Sequence, residues 1–200
     1  MPDSKQSKTL NWEPSCSLEA IKTRAKVYAL VRDFFYQRQV LEVETPLLGQ
    51  STATDPYLES IPARVCVLQG LASRQYYLHT SPEFPMKRLL AAGSGAIYQI
   101  CKTFRNAETG LRHNPEFTML EWYRPGFDMV QLMIEVNDLL IAVLNQPKQA
   151  LKKLSYRDAF LQFLGIDPYL ATDEQLIHLA KEKAGYTIQE QKSASDSRDD

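Results

Sequence analysis

Two β-prone runs flanking one long polar loop constrain this chain more than any other feature. Residues 96–105 read AIYQICKTFR and residues 117–123 read FTMLEWY, both rich in the β-branched and aromatic side chains that favour strands. The polar stretch 106–116 lies between them, so the pattern predicts two antiparallel strands joined by a loop well beyond the roughly 2–5 residues of common hairpins. Long ordered loops tend to carry function, and the chemistry is expected here. Because strand side chains alternate, Phe117, Met119, Glu121 and Tyr123 fall on one face, and Glu116, Thr118 and Leu120 on the other.

The flanking chain has to cover such a hairpin. Ser17 suits an N-cap, and residues 18–39 repeat apolar side chains at helical spacing. Leu18, Ile21, Ala25, Val27, Leu30, Val31, Phe34 and Phe35 form one broad face, with Lys22, Arg24, Lys26 and Arg32 on the remainder. Residues 40–44 alternate apolar with acidic, as a half-buried edge strand does, before Pro46 ends it. Residues 50–70 mix turn residues with short β-prone pieces. A strand is expected at 76–79 and a short helix at 86–92, ended by Gly93. Beyond Pro125 the pattern turns helical, over 129–144, over 156–164 and from Thr172 or Asp173, the last helix closing at Gly185. The expected organisation is a loose N-terminus over 1–16, one α+β domain over 17–188 and a polar tail over 189–200.

Composition excludes several classes. With 44% hydrophobic and 24% charged residues, the chain is neither disordered nor low-complexity. Lys and Arg total 23 against 24 Asp and Glu, which gives no overall basic surface for nucleic acid. No run approaches the roughly 20 apolar residues of a bilayer span, and the polar opening has no signal-peptide core, so a cytoplasmic protein without membrane attachment is expected. Cys16, Cys66 and Cys101 have no metal-ligand spacing and read as reduced bystanders, with Cys101 a small buried hydrophobe. His79, His113 and His178 are scattered, and only His113 lies in an informative context. No metal site is predicted.

Residues 104–117 put two arginines, a histidine, two carboxylates and two aromatic rings into one turn. Arginine offers a planar fork of donors for phosphate or carboxylate oxygens, and a flanking Phe offers a flat face for a heterocycle. Together they suit a nucleotide. Glu121 beside the Tyr123 phenol, on the face that also carries Phe117, can receive an ammonium group. It can equally pair with a neighbouring Lys or Arg, and spacing does not decide between the two. Ser81 before Pro82 reads as either a turn residue or a ligand contact, and Arg112 and Arg124 read as solvated surface charges.

Phe104-Arg105 with the run from Arg112 through Glu121 closely resembles motif 2 of class II aminoacyl-tRNA synthetases of the lysyl type. Residues 40–46 (VLEVETP) resemble motif 1, and Thr80-Ser81-Pro82-Glu83-Phe84 with Met86-Lys87-Arg88-Leu89 resembles the lysyl-type segment before motif 2. The likeness covers nearly the whole chain to about residue 170. Ser81 and the phrase Glu121-Trp122-Tyr123-Arg124-Pro125 resemble the paralogous group that ligates (R)-β-lysine to elongation factor P. Only some 16 residues precede the motif 1 helix, too few for the anticodon-binding domain of the lysyl enzymes.

The resemblance implies a class II synthetase-like, mainly antiparallel sheet flanked by helices, with the motif 2 hairpin at its centre and the motif 1 helix at a homodimer interface. It implies an ATP-dependent ligase that forms a lysyl or (R)-β-lysyl adenylate with Mg2+ and transfers it to a lysine of elongation factor P rather than to tRNA. Arg105 would hold the α-phosphate and the carboxylate and be the catalytic residue. Asn106, Ala107, Glu108, His113 and Asn114 would surround the nucleotide, and Phe117 would stack on adenine. Ser81, Glu83, Glu121 and Tyr123 would surround the amino acid. Where the lysyl pattern has a glutamate this chain has Ala107, with Glu108 one step later. Motif 3 and the usual Mg2+ ligands would lie beyond Asp200, which predicts a partial active site and exposed apolar helix faces. A minimal lysine-tRNA ligase and an inactive ligand-binding or dimerisation module are the alternatives.

Overall fold

A computed structural model describes residues 14, 16–55, 58–66, 73–106, 110, 113–145, 147 and 151–184. They fall in two compact units, divided between residues 148 and 149. The expected closure at Gly185, the tail over 189–200 and nearly all of the N-terminus over 1–16 lie outside the described residues.

In the first unit the helical periodicity produces α1 (Leu18–Gln37), and the Ser17 hydroxyl accepts from the Ala20 amide at 3.2 Å, satisfying one of the free donors of the first turn. Gln39, in a left-handed conformation at φ 55°, turns the chain into β1 (Leu41–Glu42). The apolar–acidic alternation predicts a strand of five residues, but only these two pair, parallel to Ile97 and Tyr98 of β5 (Ile97–Phe104). The sheet is completed by β6 (Glu116–Tyr123), antiparallel to β5 over eight residue pairs from Ile97–Tyr123 to Phe104–Glu116. Its order is β1-β5-β6, so β5 is central and the motif 2 hairpin supplies two of the three strands.

A second sheet pairs β2 (Leu48–Gly49) and β3 (Pro62–Val65) with the two edges of β4 (Arg74–Leu78), which is the strand expected at 76–79 begun two residues earlier. α2 (Glu83–Ala91) starts three residues before the expected 86 because Pro85 falls in its first turn, where a missing N–H costs nothing. It ends at Ala91, with Ala92 as C-cap, and the chain then turns at Gly93, whose φ of 86° is open to glycine.

The core lies on one face of the first sheet. Tyr98, Ile100, Leu120 and Trp122 point toward α1 and α3 (Met129–Leu144), packing with Val31, Phe34, Phe35 and Leu139. Phe35 is fully buried; it stacks on Tyr98 at 4.4 Å and meets Phe34 edge-on at 5.3 Å. Burying a side chain of this size contributes about 1.5–3 kcal/mol. Of the broad apolar face of α1, only Val31, Phe34 and Phe35 are buried, while Leu18, Ile21 and Leu30 stay exposed. On α3, Met129, Ile134, Leu140 and Leu144 are likewise exposed.

The second unit contains α4 (Tyr156–Leu164), capped by Ser155 and closed by Gly165 in the left-handed region, and α5 (Asp173–Ala184). Among the described residues no helix is long and apolar enough to cross a membrane.

Candidate functional site

The opposite face of the first sheet is polar. Alternation on both strands puts Ile97, Gln99, Cys101 and Thr103 of β5 beside Tyr123, Glu121, Met119 and Phe117 of β6, each directly across from its partner. The end of β4 abuts this face: the Phe104 amide donates to the His79 carbonyl at 3.0 Å, and the His79 amide donates to the Leu47 carbonyl at 3.0 Å.

At the loop end, the Arg105 amide donates to the Pro115 carbonyl at 2.9 Å, and the Arg105 guanidinium lies 5.2 Å from the Phe117 ring centroid. A cation and a flat face are thereby brought together, as the sequence predicts. Asn106 docks the loop onto Glu59, its amide donating to the Glu59 carbonyl at 2.8 Å and its Nδ2 to Glu59 Oε1 at 2.9 Å. His113 and Asn114 are exposed at the loop tip, where Gly110 and His113 exchange backbone hydrogen bonds. Ala107 and Glu108 lie outside the described residues.

Toward the other end, the Tyr123 hydroxyl donates to Glu121 Oε1 at 2.7 Å. Burial raises the Glu121 carboxyl above the ordinary carboxylate range; the Tyr123 hydrogen bond opposes that shift, Glu83 adds to it, and His79 and Lys87 oppose it. Burial also raises the Tyr123 phenol, with Glu121 and Glu83 adding to the shift. Glu121, Tyr123 and Glu83 therefore form one acidic group. Ser81 Oγ accepts from the Glu83 amide at 3.4 Å at the start of α2, and Lys87, one turn on, pairs with Glu83. A cavity of about 640 Å3 opens beside them, its walls including Glu44, Thr45, His79, Ser81, Glu83 and Arg88.

Several residues here escape sequence reasoning. His79 Nε2 hydrogen-bonds the Lys102 carbonyl at 2.7 Å and lies 4.0 Å from Cys101 Sγ. The Thr45 hydroxyl donates to Gln99 Oε1 at 2.9 Å, yet the Gln99 Nε2 hydrogens reach no oxygen or nitrogen acceptor. Thr80 Oγ1 and Thr103 Oγ1 are also buried without a hydrogen-bond partner. Left so in the folded chain, each such atom costs about 1–3 kcal/mol. The alternation applied to residues 117–123 places Gln99 and Thr103 here when run along β5; His79 has no local signal. Cys101 is no nucleophile: burial, with Glu121 adding and Gln99 opposing, pushes its thiol up to about 11.

Arg124 corrects an expectation. It is not a solvated surface charge; its side chain is 14% exposed and pairs with the buried Glu135 at 3.3 Å on the far side of the sheet.

Residues 5–195 match the family described as tRNA synthetases class II (D, K and N). The chain is 51% identical over 172 residues to the elongation factor P–(R)-β-lysine ligase of Pseudoalteromonas translucida, covering 86% of this chain and 52% of that protein. It is 51% identical over 179 residues to the enzyme of the same name from Pectobacterium atrosepticum, covering 90% and 54%, and 48% identical over 172 residues to that of Avibacterium paragallinarum, covering 86% and 52%. The chain thus spans about half the length of the curated relatives it matches. With the motif 2 hairpin, its polar face and this match in agreement, the chain belongs to the class II tRNA synthetases of the D, K and N type.

Proposed function

We propose that this site activates (R)-β-lysine, or lysine, as an adenylate and serves its transfer to a lysine side chain of elongation factor P, in a cytoplasmic homodimer that does not take tRNA. The observation that carries the reading is the division of one sheet face: Arg105 over Phe117 at the loop end, Glu121 with Tyr123 and Glu83 farther along the same face and against α2. The first pair suits a nucleotide phosphate and base; the second suits an ammonium group. The names of the relatives supply the β-lysine and elongation factor P.

In the first step the amino-acid carboxylate attacks the α-phosphorus of ATP and pyrophosphate leaves, giving the mixed anhydride. In the second, the acceptor amine attacks its carbonyl carbon, loses a proton and expels AMP. Neither step demands a strong acid or base from the protein; both reward in-line positioning and a cation at the developing charge. Arg105 is that cation, Phe117 the stacking ring, and Asn106, His113 and Asn114 flank the base. Ser81, Glu83, Glu121 and Tyr123 hold the amino acid. Mg2+ would neutralise the phosphates when bound. Among the described residues no three His, Cys, Asp or Glu side chains converge on a point that could hold a metal ion.

The test is (R)-β-lysine-dependent exchange of pyrophosphate into ATP. Arg105→Ala should slow exchange by about 10²–10³-fold, the loss typical of one preorganised donor. Exchange unaffected by that substitution, or supported equally by an acidic amino acid, would overturn the proposal.

A further inference from the structure

Three successive amides at the end of β5 are held by three different segments. The Phe104 amide donates to the His79 carbonyl at 3.0 Å, the Arg105 amide to the Pro115 carbonyl at 2.9 Å and the Asn106 amide to the Glu59 carbonyl at 2.8 Å. Arg105 is therefore gripped through its own amide and through the amide on either side of it. The last of these ties is doubled by side chains, with Asn106 Nδ2 donating to Glu59 Oε1 at 2.9 Å. Glu59 is itself anchored. Ser60 beside it is buried with its hydroxyl paired to that of Thr52, the Ile61 carbonyl accepts from the Leu78 amide at 2.9 Å, and Pro62 opens β3 against β4. The loop end of the motif 2 hairpin is thus fastened to the second sheet at Glu59.

We infer that Glu59 is a positioning residue for the nucleotide half of the site: by holding the Asn106 carboxamide it fixes the chain just beyond Arg105, and with it the backbone from which the guanidinium reaches toward Phe117; this rests on the reading of Arg105 and Phe117 as nucleotide contacts. The carbonyl of any residue at 59 could take the Asn106 amide, but taking Nδ2 as well requires a side chain with an acceptor at its end. What matters there is the acceptor and not the charge, since Asn106 is neutral. The bond uses one Nδ2 hydrogen and leaves the other, with Oδ1, for a base. Both side chains are exposed, so the contact acts on the loop and leaves the core untouched. Without it the carboxamide turns freely, and a bound nucleotide has to order it.

The experiment is calorimetric titration of the full chain with ATP and, separately, with L-lysine. Glu59→Ala should weaken ATP binding about 3- to 10-fold, the range for one hydrogen bond, and leave lysine affinity within about twofold. Glu59→Gln keeps an acceptor at the same reach and should match the wild type for both ligands within about twofold. In an Asn106→Ala background, Glu59→Ala should change ATP affinity no further, because the bond it breaks is already gone. ATP affinity indifferent to Glu59→Ala overturns the inference, as does a Glu59→Gln chain as weak as Glu59→Ala, which would make the role one of charge. A loss shared equally by lysine, or one undiminished in the Asn106→Ala background, overturns it too, since either marks a general structural role. A wild-type chain that binds no ATP sinks the functional reading and this inference together. ATP binding that ignores Glu59 sinks this one alone.

Discussion

Glu135 is the residue whose removal should be felt furthest. It lies on α3, only 5% exposed, and its carboxylate accepts from Trp122 Nε1 at 3.0 Å, pairs with Arg124 at 3.3 Å and sits 3.9 Å from Arg38. Arg38 is 31% exposed, has Asp138 at 3.8 Å as a second partner and rests on the Phe34 ring, so it tolerates the loss. Arg124 does not: at 14% exposure its charge would be left against Phe127 with no carboxylate beside it. Breaking a buried ion pair from one side costs about 3–5 kcal/mol, including here the indole N–H that loses its acceptor. With a urea slope of about 2 kcal/mol per molar, Glu135→Leu should lower the unfolding midpoint of the chain by about 1.5–2.5 M. The decisive comparison adds Arg124→Met to Glu135→Leu. Removing the stranded cation while keeping the stem volume should restore much of the loss, because apolar replacement of a whole buried pair is often neutral. Trp122 fluorescence reads the transition within the cluster itself. If the second substitution leaves the midpoint where the first put it, or lowers it further, the cost was one of packing and the electrostatic reasoning is refuted.

Two further outcomes follow from the polar face. Glu121 is raised in the folded state, so the native chain holds its proton more tightly than the unfolded chain, and stability falls as pH climbs from the ordinary carboxylate value through the raised one. Glu121→Gln should therefore be more stable than wild type at neutral pH, with the gap closing toward acid, while lysine binding is lost; parallel melting-temperature profiles against pH would contradict this. Thr45→Val strands the buried Gln99 Oε1 and should cost about 1–3 kcal/mol by thermal unfolding, with Gln99→Leu recovering part of it, whereas additive losses would deny the pairing.

What the sequence disclosed and what it withheld divide along the range of the interactions involved. α1, its Ser17 cap and the β5–β6 hairpin were readable because their signals are local: a helical period, a capping hydroxyl, a two-residue alternation. Of the second sheet only β4 was readable, because β2 is two residues long and pairs with a strand some thirty positions away. Arg124 reads as a surface charge for the same reason, its partner being eleven residues on and set by how α3 folds back. Within the site, Arg105, Phe117, Glu121 and Tyr123 were legible from one hairpin. His79, Thr45 and Glu59 join it only through contacts between segments, which composition and spacing do not encode.

Alternation also explains how the register of the site is set from the opposite face of the sheet. Tyr98, Ile100, Leu120 and Trp122 must face Phe35 and Leu139 for the core to close, and that requirement alone sets the register of both strands. A slip of one residue would turn Gln99, Glu121 and Tyr123 into the aromatic core and strand their charge and hydroxyls there, at a cost no ligand could offset. The Trp122–Glu135 bond guards against it at the very point where Glu121 and Tyr123 flank Trp122 in sequence. The apolar face thus holds the polar one in place, which leaves the polar face free to keep His79, Thr80, Gln99 and Thr103 atoms unsatisfied.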